Sequence, residues 1–366
     1  MKLNQTESNY SADEADRLAY FQTVFAGFQR AKQNGDLINR FYNIGSYTIC
    51  LSFAGTGLVS QLTPAFAHLE TMPTETPALT VCLWDSASTG IKLPLLVSSL
   101  ISLVRSRWQE HLDIRGEIKG YNSDRFRTVF QWPATLSVLD LQQNLAIYWV
   151  DAAAELPYFE RGSPLRTILN WWLENRDRQC VHAGAVGTPT GGVLLAGKGG
   201  SGKSTSALAC LKSELLYASD DYCLVASDPI PYVYSLYNTA KLKGATDLER
   251  FPLLANKFNN LDRLEEEKAM IFLAEHFPEK VVAGFPIKAV LVPRVTGKKD
   301  TILQRASAGA ALAALAPSTI FQLPSAGKQT FQMLAKLVKA VDCYYLNLGT
   351  DIGQIPQIIS QLLTQI

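Results

Sequence analysis

Gly197-Lys198-Gly199-Gly200-Ser201-Gly202-Lys203-Ser204 is a complete GxxxxGK[ST] sequence, and it follows directly on the apolar run Val193-Leu194-Leu195-Ala196. That order predicts a strand, a glycine-rich turn and a helix opening at Ser204-Thr205-Ser206-Ala207. In such a turn the backbone N–H groups converge on phosphate, and the helix directs its positive end at the same anion. Lys203 then reaches the β- and γ-phosphates of a nucleotide, and Ser204 offers its hydroxyl to Mg²⁺. Gly197, Lys198, Gly199, Gly200, Ser201, Gly202, Lys203, Ser204 and Thr205 are the expected nucleotide contacts.

Outward from the loop, Leu215-Leu216-Tyr217-Ala218 reads as a short strand ending in Ser219-Asp220-Asp221, with Asp220 only 17 positions after Lys203. A carboxylate at a strand tip beside a phosphate loop can hold Mg²⁺, and a second can take a proton from an attacking hydroxyl. If the strand continues, adjacent side chains point to opposite faces, so the two acids divide the work. Upstream, Cys180-Val181-His182-Ala183-Gly184-Ala185-Val186 is another strand, joined to the loop strand through the hairpin residues Gly187-Thr188-Pro189-Thr190-Gly191-Gly192.

His182 in a strand, a hairpin, the glycine loop, one helix and then an Asp-Asp pair together resemble the catalytic domain of HPr kinase/phosphorylase. That family of bacterial protein-serine kinases is related in fold to phosphoenolpyruvate carboxykinase. The resemblance is close from His182 to Leu224 and continues as a looser trend to the C-terminus. It implies an α/β catalytic domain in which Asp220 is the base that activates an acceptor serine. It also implies Asp221 as the metal-side acid, and His182 as an orienting or proton-relay neighbour.

Two departures qualify the resemblance. The family carries a metal-binding Glu a little after the acid pair, whereas Tyr234–Lys243 contains no acid. Reverse phosphorolysis is therefore not expected, Asn238 is left as a neutral oxygen donor for the metal, and Lys241 or Lys243 as a phosphate contact. The N-terminal half shows no similarity to the N-terminal domain of HPr kinase. In overall look the chain is similar to the HPr-kinase-like proteins of lasso-peptide and related peptide-maturation pathways, which phosphorylate a serine on a precursor peptide.

With 366 residues and 47% apolar content, the chain can build two cores. Lys+Arg 34 against Asp+Glu 33 leaves a formal charge of +1, so no global field recruits nucleic acid or an acidic membrane. The six cysteines lack any C-x-x-C or C-x-x-H spacing and read as reduced, buried residues of a cytoplasmic protein. No apolar signal core opens the chain, and the apolar stretch Leu93–Val104 is too short and too rich in serine to cross a bilayer. The four histidines lie far apart, which argues against a zinc site.

The expected organisation has three parts. Residues 1–40 form a polar tail, disordered over 1–10, and an amphipathic helix with a capping box at Ser11-Ala12-Asp13-Glu14 and a stop at Asn34-Gly35. Residues 41–160 form an α+β domain able to receive a peptide or partner by edge pairing. Its strands are Ile44–Phe53, Ala78–Trp84 and the hairpin Ala134–Leu139 with Leu145–Val150, interrupted by a helix over Leu58–Leu69. Residues 161–366 form the catalytic domain, entered by a helix from Pro164. Within it, helices are expected over Thr246–Asn256 and Leu264–Met270 around a mobile Lys257–Asn260 segment. The strand Ile287–Pro293 ends at Arg294, a candidate phosphate contact.

The expected activity is transfer of the ATP γ-phosphate, with Mg²⁺, to a serine of a peptide or protein. The alternatives are an NTP hydrolase or switch, and a non-catalytic nucleotide-binding scaffold. Homo-oligomerisation is left open by the sequence.

Overall fold

The computed structural model describes residues 12–94, 111–131, 135–324 and 326–366, so the expected disordered tail and most of Leu93–Val104 lie outside the described residues. It is a mixed α/β structure with several sheets. Two compact units emerge: one of residues 1–40, 49–59 and 76–155, the other of residues 41–48, 60–75 and 156–366. The division differs from a cut at 40 and 160, because helix α1 groups with the first unit and two N-terminal stretches group with the second.

Helix α1, Glu14–Asn34, begins two residues later than Ser11 implied. Asp13 is its cap: the Asp13 carboxylate accepts from Asp16 N at 2.8 Å and Asp16 returns the contact to Asp13 N at 3.3 Å. Phe21, Val24, Phe28 and Ala31 bury its apolar face against Trp84, Ile147 and their neighbours. The sheet here has the order β1-β2-β3-β6-β5-β4. Its strands are β1 Leu37–Ile44, β2 Tyr47–Ala54, β3 Leu79–Asp85, β4 Phe126–Gln131, β5 Thr135–Asp140 and β6 Leu145–Val150. The single strand expected over Ile44–Phe53 is split by Gly45 and Ser46, both at positive φ (60° and 75°), a tight hairpin turn. The helix expected over Leu58–Leu69 is also split. Pro64 cannot donate to a preceding turn, so Val59–Leu62 stops and a 3₁₀ segment, Pro64–Leu69, starts with the proline in its first turn.

The second unit holds a nine-stranded sheet. Its path runs β10-β8-β9-β15-β12-β11-β7, with β17 on β15 and β16 on β17. The strands are β7 Gln179–Val181, β8 Ala183–Thr188, β9 Gly191–Ala196, β10 Leu216–Ser219, β11 Cys223–Ala226 and β12 Tyr232–Ser235. They continue with β13 Thr239–Leu242, β14 Ala269–Phe272, β15 Gly284–Val295, β16 Ile302–Arg305 and β17 Asp342–Leu348, with β13 and β14 forming a separate pair. Its principal helices are α2 Tyr158–Gly162, α3 Arg166–Glu174, α4 Lys203–Ala209, α5 Ala308–Ile320, α6 Lys328–Ala340 and α7 Gln354–Gln365.

Alternation along the strands feeds two cores. Val186, Val193, Leu195 and Leu291 pack with α4 and α7, while Ala185, Leu194, Val290 and Cys343 pack with α5 and α6. With both faces covered, the central strands are apolar throughout rather than alternating.

Three further expectations give way. The helix expected over Leu264–Met270 does not form: a 3₁₀ turn, Leu261–Arg263, precedes that span, and the last two residues of the span enter β14, whose Ala269–Phe272 pairs with β13. Residues 244–254 hold a short helix, Gly244–Glu249, and a 3₁₀ turn, Pro252–Leu254, rather than one helix to Asn256. Lys257–Asn260 is anchored, with Phe258 buried and Asn260 Oδ1 accepting from Met270 N at 2.8 Å.

Candidate functional site

Strand direction gathers the chemistry at one end of the sheet. β9 and β10 are both antiparallel to β8, and β15 runs parallel to β9, so the carboxyl ends of β9, β10 and β15 point the same way. Ligands of α/β sheets bind at that end. β9 delivers the Gly197–Ser204 loop there, β10 delivers Asp220 and Asp221, and the β7–β8 junction delivers His182. The single strand expected over Cys180–Val186 breaks at that histidine.

Gly202, at φ 104°, caps α4, and a Cβ added there would come within 2.3 Å of Leu348 Cδ1. Only glycine fits this close, left-handed corner. A Cβ at Gly199 or Gly200 would meet nothing within 4 Å, so the loop presents open backbone. Lys203 is buried, and its ammonium donates to Gly197 O at 2.6 Å and to Lys198 O at 3.3 Å. Burial lowers its pKa, against the opposing pull of Asp220 and Asp221. Ser204 and Thr205 are half-buried in the first turn of α4.

The two acids occupy different environments. Asp220 is 2% exposed; its Oδ2 accepts from Lys241 N at 3.0 Å, and its Oδ1 has no hydrogen-bond partner among the described residues. Burial raises its pKa, while the Lys241 N–H and the Ser204 hydroxyl beside it favour the charged form. Asp221 has a side chain 23% exposed, with Oδ1 at 3.1 Å from His182 Nε2 and Oδ2 at 2.7 Å from Lys241 Nζ. Burial alone would raise its pKa, yet Lys241 and His182 hold it well below the usual carboxylate range. The expected division made Asp220 the base and Asp221 the metal-side acid; the geometry sets Asp220 beside Ser204 and Asp221 beside His182.

His182 stacks on Tyr222, ring centroids 5.2 Å apart, and the Arg166 guanidinium lies 4.6 Å from the centroid of the same ring. The His182 backbone N–H donates to Thr319 Oγ1 at 3.2 Å. With Nε2 facing Asp221 Oδ1, the other ring nitrogen is Nδ1. That nitrogen, Arg166 Nε and Ser201 Oγ are buried without partners among the described residues.

Other candidates lie elsewhere. Asn238 is not a metal donor: its Nδ2 donates to Pro64 O at 2.8 Å and Ala65 O at 3.0 Å, and its Oδ1 accepts from Ala274 N at 3.3 Å. Lys241 is committed to carboxylate rather than free for phosphate, and Lys243 is exposed. Arg294, next to last in β15, is an exposed side chain stacked 3.3 Å over Tyr345, and alternation turns it to the Val290–Val292 face, opposite α4. Ser163, Arg166 and Tyr222 are the site neighbours that sequence reading did not place; no local motif marks them, and Lys241 was expected at phosphate rather than on a carboxylate. Among the described residues no three His, Cys, Asp or Glu side chains cluster as a metal site, and no helix is long and apolar enough to cross a membrane. All six cysteines are free and buried.

Neither the family models nor the curated proteins compared with the chain give a match. Among solved structures, the Hpr(Ser) kinase/phosphatase from Coxiella burnetii is similar over 51% of this chain and 95% of its own, at 13% identity and a TM-score of 0.27. A likeness this distant assigns no role to any residue.

Proposed function

We propose that the second unit binds ATP with Mg²⁺ and transfers the γ-phosphate to a serine hydroxyl of a peptide or protein, such as a ribosomally made precursor. The observation that carries this reading is the meeting, at one sheet end, of an open glycine loop with two acids that face different neighbours. The loop's backbone and the Lys203 ammonium suit a triphosphate. The unpartnered Asp220 Oδ1 and the adjacent Ser204 hydroxyl suit a hard, oxygen-preferring cation. Ser204 and Asp220 would hold Mg²⁺, whose chemistry is to neutralise charge on the phosphate oxygens.

Asp221 is the more accessible acid, and it orients the serine hydroxyl and receives its proton, with His182 fixing its direction. Phosphoryl transfer demands positioning and charge stabilisation more than a strong base. A carboxylate held ionised meets that demand. The test is incubation with γ-labelled ATP and candidate serine peptides, followed by mass spectrometry of the product. Phosphoserine in the acceptor is the expected result. Release of ADP with no labelled acceptor favours the hydrolase or switch, and bound nucleotide without turnover favours the scaffold.

A further inference from the structure

Lys241 reaches both acids from the third residue of β13. Its backbone N–H holds Asp220 Oδ2 at 3.0 Å, and its ammonium holds Asp221 Oδ2 at 2.7 Å and Ser163 Oγ at 3.2 Å. The side chain is 8% exposed and is gripped along its length. A Cβ added to Gly162 would come within 2.8 Å of Lys241 Cε and 2.9 Å of Met270 Sδ, so the end of α2 closes on the stem. With His182 Nε2 on Oδ1, each Asp221 oxygen already faces a nitrogen donor, and the ammonium beside Oδ2 repels a metal ion that would use the remaining lone pairs. Asp220 differs: it keeps a buried oxygen without a partner and lies beside Ser204.

We propose that the Lys241 ammonium is a built-in cation that takes the place of a second divalent ion on Asp221, so that the site takes one metal ion, on Asp220 and Ser204. The inference rests on the nucleotide-site reading above and deepens it. A fixed lysine in a site that lacks a third carboxylate makes chemical sense. Two acids flank a polyphosphate, and one positive charge supplied by the protein needs no metal binding of its own. The same residue spaces the two carboxylates, since its backbone sets one and its side chain the other.

The test counts bound Mn²⁺ by electron paramagnetic resonance titration of the full chain in the presence of ADP, a readout that needs no turnover. One Mn²⁺ per chain is expected, retained in Asp221→Asn and lost or weakened at least tenfold in Asp220→Asn. Lys241→Gln frees Asp221 and is expected to add a second, weaker Mn²⁺, whereas Lys241→Arg keeps the count at one. If Lys241→Gln does not fold, the two aspartate variants still decide. Two Mn²⁺ in the wild type, one of them lost in Asp221→Asn, overturns the inference, as does a folded Lys241→Gln with an unchanged count. No Mn²⁺ bound overturns both the inference and the nucleotide-site reading. A count of one that Asp220→Asn abolishes, in a protein that never labels an acceptor, leaves this inference standing and removes phosphoryl transfer.

Discussion

The glycine-loop side of the site and the Asp221 side are built in opposite ways. The loop side is continuous in sequence: β9, Gly197–Ser204 and α4 follow one another, and glycine geometry such as that at Gly202 sets its shape. The Asp221 side is assembled from Ser163, Arg166, His182 and Lys241, which the fold brings to Asp221 and its neighbour Tyr222 from separate elements. A polyphosphate is one shape in every protein that binds it, and a contiguous loop can carry that recognition. On the proposed reading the Asp221 side receives the acceptor, which is particular to each protein, so that surface is free to be recruited from the whole fold.

The largest expected effect breaks the loop side alone. Lys203→Ala removes the charge proposed to face the β- and γ-phosphates and should reduce transfer by about 10³-fold or more, with weaker nucleotide binding in calorimetry. Undiminished product would end the assignment of this loop to phosphate. Next comes the other side. Asp221→Asn should lower the transfer rate by about 10²- to 10⁴-fold, roughly 3–5 kcal/mol of barrier, while ADP and metal binding stay near wild type. Asp220→Asn should instead raise the Mg²⁺ concentration needed for half-maximal rate by about tenfold, partly relieved by Mn²⁺. If the two phenotypes are exchanged, Asp220 is the acceptor-side acid and the allocation drawn from the geometry is wrong.

Two smaller effects sharpen the comparison by reading stability. Gly162→Ala presses a methyl group on the Lys241 stem and should destabilise the unit by about 1–3 kcal/mol in chemical denaturation, with the acceptor step hurt more than ADP binding. Equal loss on both sides would mean that α2 supports the whole site. His68 hydrogen-bonds Ser235 at 2.6 Å, and burial lowers its pKa to about 3 from an ordinary 6.5. The unfolded chain therefore binds a proton that the folded chain refuses between those values, and stability should fall as pH drops from about 6.5 towards 3. The slope contributed by this one group is at most about 1.4 kcal/mol per pH unit. His68→Gln should flatten that part of the curve; an unaltered slope would show that another group supplies it.

What could be read from the sequence follows the same divide. The strand before the loop and the helix after it depend on neighbours in the chain, and both form where expected. Lys241 was readable only as one of two lysines near a strand end, because its significance comes from Asp220, Asp221 and Ser163, up to 78 residues away. Ala269–Phe272 is too short to tell strand from helix by periodicity, and pairing with Thr239–Leu242 settles it. Pro64 and the Gly45-Ser46 pair were visible as breakers, yet the helix and strand drawn across them ignored local chemistry that the fold obeys.

The carbonyls of Pro64 and Ala65, which receive the Asn238 amide, have a bearing on biosynthesis. These residues leave the ribosome 174 and 173 positions before their donor, and His68 precedes Ser235 by 167. Until the later strands arrive, Phe66 has Tyr42, with ring centroids 5.4 Å apart in the finished molecule, but lacks Tyr237, its other ring neighbour at 5.3 Å. Contacts so distant along the chain are slow to form, because a long loop must close before either end gains anything. Completion of the second unit is therefore a late event in the life of the nascent chain. A fragment beginning at residue 156 would hold the loop and both acids yet leave the Asn238 amide without the carbonyls that anchor it.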